Sequence, residues 1–412
     1  MFAPVPHLRS RKLRRTACLA AAGVAAAAAA ALTGLTHGTT SARAAGASSP
    51  TITSKPWGSY QGKPVRLYTL SNGHMKVAIT NFGGIIQSID VPDRNGKLND
   101  VALGFRNLAG YVANDATKQP AGGSGTTYFG ATIGRYGNRI AKGTFKLNGT
   151  TYHLPINNGP NSLHGGTNAW NKQVWSAKPS TGAAGTSLQL TYTSPDGQDG
   201  YPGTVVATVT FTLAKSNKLT LHYHATTNKP TVINMTNHSY FNLGGQASGS
   251  ILGEKLMLNA NRYTPTDDTQ IPTGKIVPVA GTPMDFRKMK TIGKDITANF
   301  HQLILAHGYD HNWALNGYGH GVALAARAED PHTGRVLTAS TDEPGVQVYT
   351  SNFMVGDLVG TTGKTYRQSA GFTLETQHYP DSPNQPNFPS TTLNPGTPYN
   401  TTTVFAFSTM KK

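Results

Sequence analysis

From Val205 to Leu213 the chain alternates without a break. Val205, Ala207, Val209, Phe211 and Leu213 fall on one face, and Val206 with three threonines on the other. A period of two sustained over nine residues suits a half-buried strand and not a helix. Residues 188–192 repeat the pattern, as do Leu219, Leu221 and Tyr223. Pro195-Asp196-Gly197 and Ser216-Asn217 lie between these runs and suit turns joining antiparallel neighbours. Further strands are predicted at 255–258, 322–328, 336–340, 346–350, 372–377 and 403–407, whereas helical periodicity is confined to 108–114 and 296–305. With 46 glycines and 25 prolines punctuating such short runs, the expected fold class is all-β, a large antiparallel β-sandwich.

The N-terminus reads differently. Arg9, Arg11, Lys12, Arg14 and Arg15 precede an Ala-rich apolar run over 17–35, and Ala42-Arg43-Ala44 offers a small-x-small cleavage site. Residues 1–44 are therefore expected to be a removed signal peptide and not a stable membrane anchor, with secretion as the outcome. The Arg14-Arg15 pair leaves twin-arginine export open. Residues 45–63, rich in Ala, Ser, Thr, Gly and Pro, read as a flexible lead-in to a single domain over 64–412. The proline-dense stretch from Pro380 to Pro398 is read as an ordered loop, because an alternating strand follows it.

Cys18 is the single cysteine and lies in the signal, so the mature chain has no disulfide, Cys nucleophile or Cys-ligated metal. The formal charge is +17, and six of the positive residues, with no acidic ones, lie in 1–44, leaving +11. The remaining Lys and Arg are scattered, with Arg287-Lys288-Met289-Lys290 the densest run. No recognition helix or aromatic RNA-binding motif accompanies them, so nucleic acid is not an expected partner.

Catalysis without Cys falls to His, carboxylates, Tyr, Lys, Ser or a metal. Four segments gather polar groups in apolar, turn-bounded surroundings: Gly137-Asn138-Arg139-Ile140, Asn161-Ser162-Leu163-His164-Gly165-Gly166, Thr236-Asn237-His238-Ser239-Tyr240-Phe241-Asn242-Leu243 and Gly371-Phe372-Thr373-Leu374-Glu375-Thr376-Gln377. Alternation in the last places Thr373, Glu375 and Gln377 on one face. Spacing alone reads Glu375 as a solvated strand residue and the two histidines as hydrogen-bonded structural groups. His222 and His224 share a strand face without a carboxylate motif beside them and read as strand surface, so no metal site is expected.

Together the segments resemble the aldose 1-epimerase (galactose mutarotase) family along nearly the whole mature chain. Four more runs extend the likeness in the family's order. They are Pro92-Asp93-Arg94-Asn95-Gly96-Lys97 with Asp100 to Phe105, Asp199-Gly200-Tyr201-Pro202-Gly203, Tyr309-Asp310-His311-Asn312, and Pro344-Gly345-Val346-Gln347-Val348-Tyr349-Thr350. The resemblance implies the family's supersandwich fold, an isomerase activity on free aldoses such as galactose and glucose, and no cofactor. It further implies Glu375 as the base, His238 as the acid and His164 as an assisting group at the reacting centre. Asn138, Arg139, Asp310 and Gln347 would hold sugar hydroxyls.

Mutarotation suits such a set. Opening a cyclic hemiacetal requires one group to take the C1 hydroxyl proton and another to protonate the ring oxygen, with the roles reversed on closure. An ionised Glu and an imidazolium near its own pKa serve at neutral pH, giving a bell bounded by Glu375 on the acid side and His238 on the alkaline side. An aromatic floor for the sugar is expected from Trp170, Trp175 or Trp313, although core packing explains at least two of them. Two other readings of the same fold stay open. A glycoside hydrolase would need a second carboxylate, for which Asp310 is the candidate. A non-catalytic sugar-binding protein would have lost Glu375 or His238, and both are present.

Overall fold

Three antiparallel sheets carry the architecture. The first is a meander in chain order, Thr51–Tyr60, Lys63–Ser71, Lys76–Thr80, Ile85–Pro92 and Leu98–Asp100. The second has nine strands in the order Ser176–Gly182, Gly185–Ser194, Val205–Leu213, Lys218–Thr227, Tyr399–Thr409, Arg335–Thr341, Ala323–Glu329, Lys255–Leu258 and Lys290–Thr291. The third runs Val277–Pro278, Arg262–Thr264, Asp310–Ala314, Gly345–Tyr349 and Glu375–Gln377. One apolar core joins all three, with Val77 and Ile79, Val209 and Phe211, and Trp313 and Val346 among its members. Each such side chain, fully removed from water, contributes about 1.5–3 kcal/mol. The expected β-sandwich is the observed class. The computed structural model describes residues 50–115 and 123–410, so the signal-peptide reading of 1–44 lies outside them. Among the described residues no helix is long and apolar enough to cross a membrane.

The alternating runs pair as expected. Val205–Leu213 lies between Gly185–Ser194 and Lys218–Thr227, with the two anticipated turns at its ends. The proline-dense stretch leads into Tyr399–Thr409, which enters the middle of the nine-stranded sheet between Lys218–Thr227 and Arg335–Thr341. On the way, Asp381 N–H donates to the Arg139 carbonyl at 2.8 Å and its carboxylate accepts from Ala141 N at 2.9 Å. The loop therefore braces a polar segment of the sequence from behind.

Several boundaries differ. The lead-in predicted over 45–63 is largely strand: Thr51–Tyr60 pairs along its length with Lys63–Ser71. Its Thr, Ser and Lys residues face solvent on an edge, so composition resembled a linker, while Trp57 and Tyr60 pack against the apolar cluster around Phe82 and Tyr111. The predicted helix 296–305 is confined to His301–Ala306, because hydrogen-bonded turns at Asp295–Ala298 and Ala298–Phe300 occupy the approach. The predicted strand 372–377 is two strands. Phe372–Thr373 pairs with Tyr240–Phe241, and Glu375–Gln377 pairs with Gly345–Gln347. That change of partner at Leu374 brings the His238 segment beside Glu375.

Candidate active site

Strand register assembles the site. Arg139 pairs with Leu163 and Ile140 with Ser162, which sets the Asn138-Arg139 corner beside His164. In the third sheet Asn312 faces Gln347, and Gln347 faces Glu375, across three neighbouring strands. Asp310 and Tyr349 are partners on the same face, two residues further along. Glu375 and Asp310 thus stand two strands and two residues apart, roughly 12 Å between backbones. His238 is delivered by its own backbone: its N–H donates to Ala131 O at 2.9 Å and its carbonyl accepts from Gly130 N at 3.0 Å. Asn237 adds a side-chain donor to Gly130 O at 2.9 Å. His164 has φ 50° and leads into Gly165 at φ 91°. A Cβ on Gly165 would come within 2.2 Å of Gly134 O, so the turn that turns the imidazole inward requires glycine there.

These side chains converge on one cleft of about 590 Å³, lined by Asn138, Arg139, His164, His238, Asp310 and Glu375 together with Tyr128, Asn158, Gln270 and Tyr349. Its size and mixed polar and aromatic walls suit a small polar ligand. His238 Nε2 lies 3.5 Å from Glu375 Oε1. The Thr373 hydroxyl donates to the same Glu375 oxygen at 3.0 Å and accepts from Tyr349 N at 3.2 Å, which fixes the carboxyl orientation. At the far side, Arg139 Nη2 is 3.9 Å from Asp310 Oδ2. Its Nε donates to Asn158 Oδ1 at 2.9 Å, and Nη2 also donates to Gln270.

Glu375 is only 2 % exposed, so the solvated-face reading from spacing is overturned. His164 and His238 are likewise buried. Gln347 does not line the cleft. It donates to Asp310 Oδ1 at 2.7 Å, which orients that carboxylate. Trp170, Trp175 and Trp313 are all core residues, and the Nε1 donors of Trp175 and Trp313 are taken by Trp170 O and Met284 O. The aromatic walls are Tyr128, Tyr240, Tyr349 and Phe353, none of which spacing alone singled out. His222 and His224 lie on the nine-stranded sheet, outside this cleft.

Burial sets the electrostatics. Removal from water pushes the Glu375 carboxyl up to about 8, with the nearby Asp310 charge adding to it. Burial draws His238 down to about 3 and His164 well below the ordinary imidazole value, with His238 and Arg139 also opposing charge on His164. Asp310 is raised by burial and partly restored by Arg139 and Gln347. Burial of the two side chains thus favours a neutral glutamic acid beside a neutral histidine over an ion pair. One proton is shared in either arrangement.

By count, His164, His238 and Glu375 could ligate a metal, since one ligand atom from each lies within 4.8 Å of the others. The hydrogen bonding does not fit that use. Asn138 N–H donates to His164 Nδ1 at 3.1 Å, so the proton of the neutral ring sits on Nε2. His164 presents a donor to an oxygen in the cleft, not a lone pair to a cation.

The family model described as Aldose 1-epimerase matches residues 66–406. Human galactose mutarotase is 44 % identical over 347 residues, covering 84 % of this chain and 95 % of the human protein. The aldose 1-epimerase of Escherichia coli K12 is 34 % identical over 349 residues, covering 84 % and 96 %. Among solved structures, galactose 1-epimerase from Lactobacillus acidophilus superposes with a TM-score of 0.76 at 27 % identity, covering 88 % of this chain and all of that one. An aldose epimerase homologue from C. elegans gives 0.73 at 28 %, covering 82 % and 97 %. The extent of these matches, over a chain whose motifs meet in one cleft, places the protein in the aldose 1-epimerase family.

Proposed function

We propose that the protein interconverts the α and β anomers of free aldoses such as galactose and glucose, with Glu375 and His238 as the proton-transfer pair. The observation that supports this reading most strongly is their separation of 3.5 Å at the base of a cleft whose other end is lined by Arg139 and Asp310. The C1 hydroxyl and the ring oxygen of a pyranose are bonded to one carbon, so two groups this close can serve both. Glu375 takes the hydroxyl proton as His238 delivers one to the ring oxygen, and the C1–O5 bond breaks to give the open-chain aldehyde. Rotation about C1–C2 exposes the other carbonyl face, and reversal of both transfers closes the ring. The ionic pair faces the cyclic sugar and the neutral pair faces the aldehyde. Burial that favours the neutral pair therefore stabilises the opened state. His164 Nε2–H supplies a donor near the reacting centre. Asp310 and Arg139 accept from and donate to hydroxyls at the far end, with Asn138 beside them and Gln347 holding Asp310. Asp310, engaged by both Gln347 and Arg139, is better suited to that role than to the second carboxylate of a hydrolase.

Polarimetry of freshly dissolved α-D-glucose and α-D-galactose tests the activity. Relaxation should accelerate in proportion to protein, and chelation of metals should leave the rate unchanged. Relaxation at the buffer rate for every aldose tried would refute the reading.

The pH dependence follows from the shared proton. The pair holds one proton between about 3, where His238 takes up a second, and about 8, where Glu375 loses the last. We expect kcat/KM to be level through neutrality and to fall about tenfold per unit above pH 8. The limbs are assigned in the reverse order to the sequence expectation, because burial reverses the two pKa values. A profile whose alkaline limb lay near 6.5, the ordinary imidazole value, would contradict this assignment.

Export is a further part of the proposal, motivated by the basic and apolar runs of residues 1–44. Mass spectrometry of protein recovered from culture medium should find a chain starting close to Ala45. A full-length membrane-bound species would overturn it.

A further inference from the structure

Tyr128 holds an unusual backbone for its size. Its φ is 55°, a left-handed conformation that disfavours any residue with a Cβ and is rare for a bulky one. The neighbouring backbone imposes it. Ala131 N–H donates to Tyr128 O at 3.0 Å, Gly130 N–H to His238 O at 3.0 Å, and His238 N–H to Ala131 O at 2.9 Å. Phe129 anchors the turn on the opposite side, packed against Phe105, Tyr240 and Tyr366 at centroid distances of 5.2, 5.0 and 5.5 Å. With Phe129 committed to the core, the Tyr128 ring enters the cleft. There its centroid lies 4.6 Å from that of His164 at an interplanar angle of 62°, and 5.8 Å from that of His238 at 40°. The two imidazoles are themselves 5.0 Å apart at 86°.

We infer that Tyr128 is a positioning residue for both histidines, its ring fixing their orientation and keeping water from their faces. A strained conformation at a site lining the cleft is where such a role is expected. Other groups constrain the same imidazoles. His238 faces Glu375 at 3.5 Å and Tyr240 at a centroid distance of 5.0 Å. His164 is held at Nδ1 by Asn138 N–H and feels Arg139 and His238. Asp310 acts at one remove, on Glu375. Of these, Tyr128 is the one whose ring touches both histidines, so its loss should hydrate both. The direction then follows: imidazoles drawn below their ordinary value by burial should rise toward it when water is admitted. This inference rests on the proton-transfer reading for its consequence in turnover, but not for its effect on the histidines.

The test compares Tyr128→Phe, Tyr128→Leu and Tyr128→Gly. Phe retains the ring, so kcat should stay within about threefold of wild type. Leu and Gly remove it, and kcat should fall by about tenfold or more while the acid limb of kcat/KM moves up in pH. Glycine suits the left-handed backbone, which offsets part of the packing lost with the ring, so Tyr128→Gly should stay folded with a moderately lowered melting temperature. Loss of its fold would contradict the claim that neighbours, not the tyrosine itself, hold the turn. ¹⁵N-histidine titrations of the folded proteins without sugar give a separate readout. The two imidazoles should titrate at higher pH in Tyr128→Gly than in wild type. Unmoved histidine titrations and an unmoved acid limb in Tyr128→Gly would overturn the inference. So would a Phe variant as impaired as the Gly variant, which would make the hydroxyl the working part. Because the titration needs no substrate, its result stands even if no aldose is turned over, and failure of the aldose reading is thereby kept separate.

Discussion

Glu375→Gln is expected to lower kcat by about 10²–10⁴-fold while sugar affinity changes by no more than a few-fold. Glutamine has the same volume, and its amide oxygen can still accept from the Thr373 hydroxyl, so the strand Glu375–Gln377 and its register with Gly345–Gln347 should survive. What it cannot do is take the C1 hydroxyl proton. Arg139, Asp310 and Asn138 remain to hold hydroxyls. A change confined to kcat is therefore the signature of a group used in proton transfer. Near-normal kcat in this variant would return Glu375 to the status of a buried strand residue with no chemistry.

His238→Asn should cost a comparable factor in kcat, for a complementary reason. Without the imidazole nothing adjacent to Glu375 delivers a proton to the ring oxygen, and opening would expel an unprotonated alkoxide. The His238 backbone bonds to Gly130 and Ala131 do not depend on the side chain, so the fold of the segment should persist. Combining the two changes should cost little more than the worse single change, because ring opening that lacks either partner is already stalled. Steady-state kinetics on the two single variants and the double variant measure this directly. Full additivity would mean that the two residues act in separate events. Residual activity in His238→Asn should keep its alkaline limb near pH 8, since that limb belongs to Glu375.

How much of this was legible beforehand depended on how local each feature was. Strands such as Val205–Leu213 were readable because alternation records one buried face, and the pairing of three such runs followed from the turns between them. Thr51–Tyr60 was not, because an exposed edge strand leaves no apolar alternation. The site residues were legible only through the family resemblance of several short motifs taken together, since spacing alone read Glu375 as solvated and both histidines as structural. Their neighbours explain the motifs: Asn161 accepts from Lys142 N and donates to Thr269 O, and Asn242 donates to Gly249 O and Ala370 O. Those asparagines build the corners on which the working side chains sit. Register decided what spacing could not. Gln347 pairs with Asp310, Glu375 is buried instead of solvated, and tyrosines from separate segments form walls that three tryptophans had been candidates to supply. The pKa order was equally out of reach, because it comes from desolvation of the assembled cleft and not from residue type.

The central claim is that one proton shared by Glu375 and His238 opens and recloses the sugar ring within this cleft. Magnetisation-exchange NMR on galactose already at anomeric equilibrium tests it most directly, since it reads α-to-β conversion with no net reaction. Wild-type protein should produce exchange between the two anomeric signals in proportion to its concentration, and Glu375→Gln at the same concentration should reduce that exchange at least about 100-fold. Equal exchange from the two proteins would contradict the account.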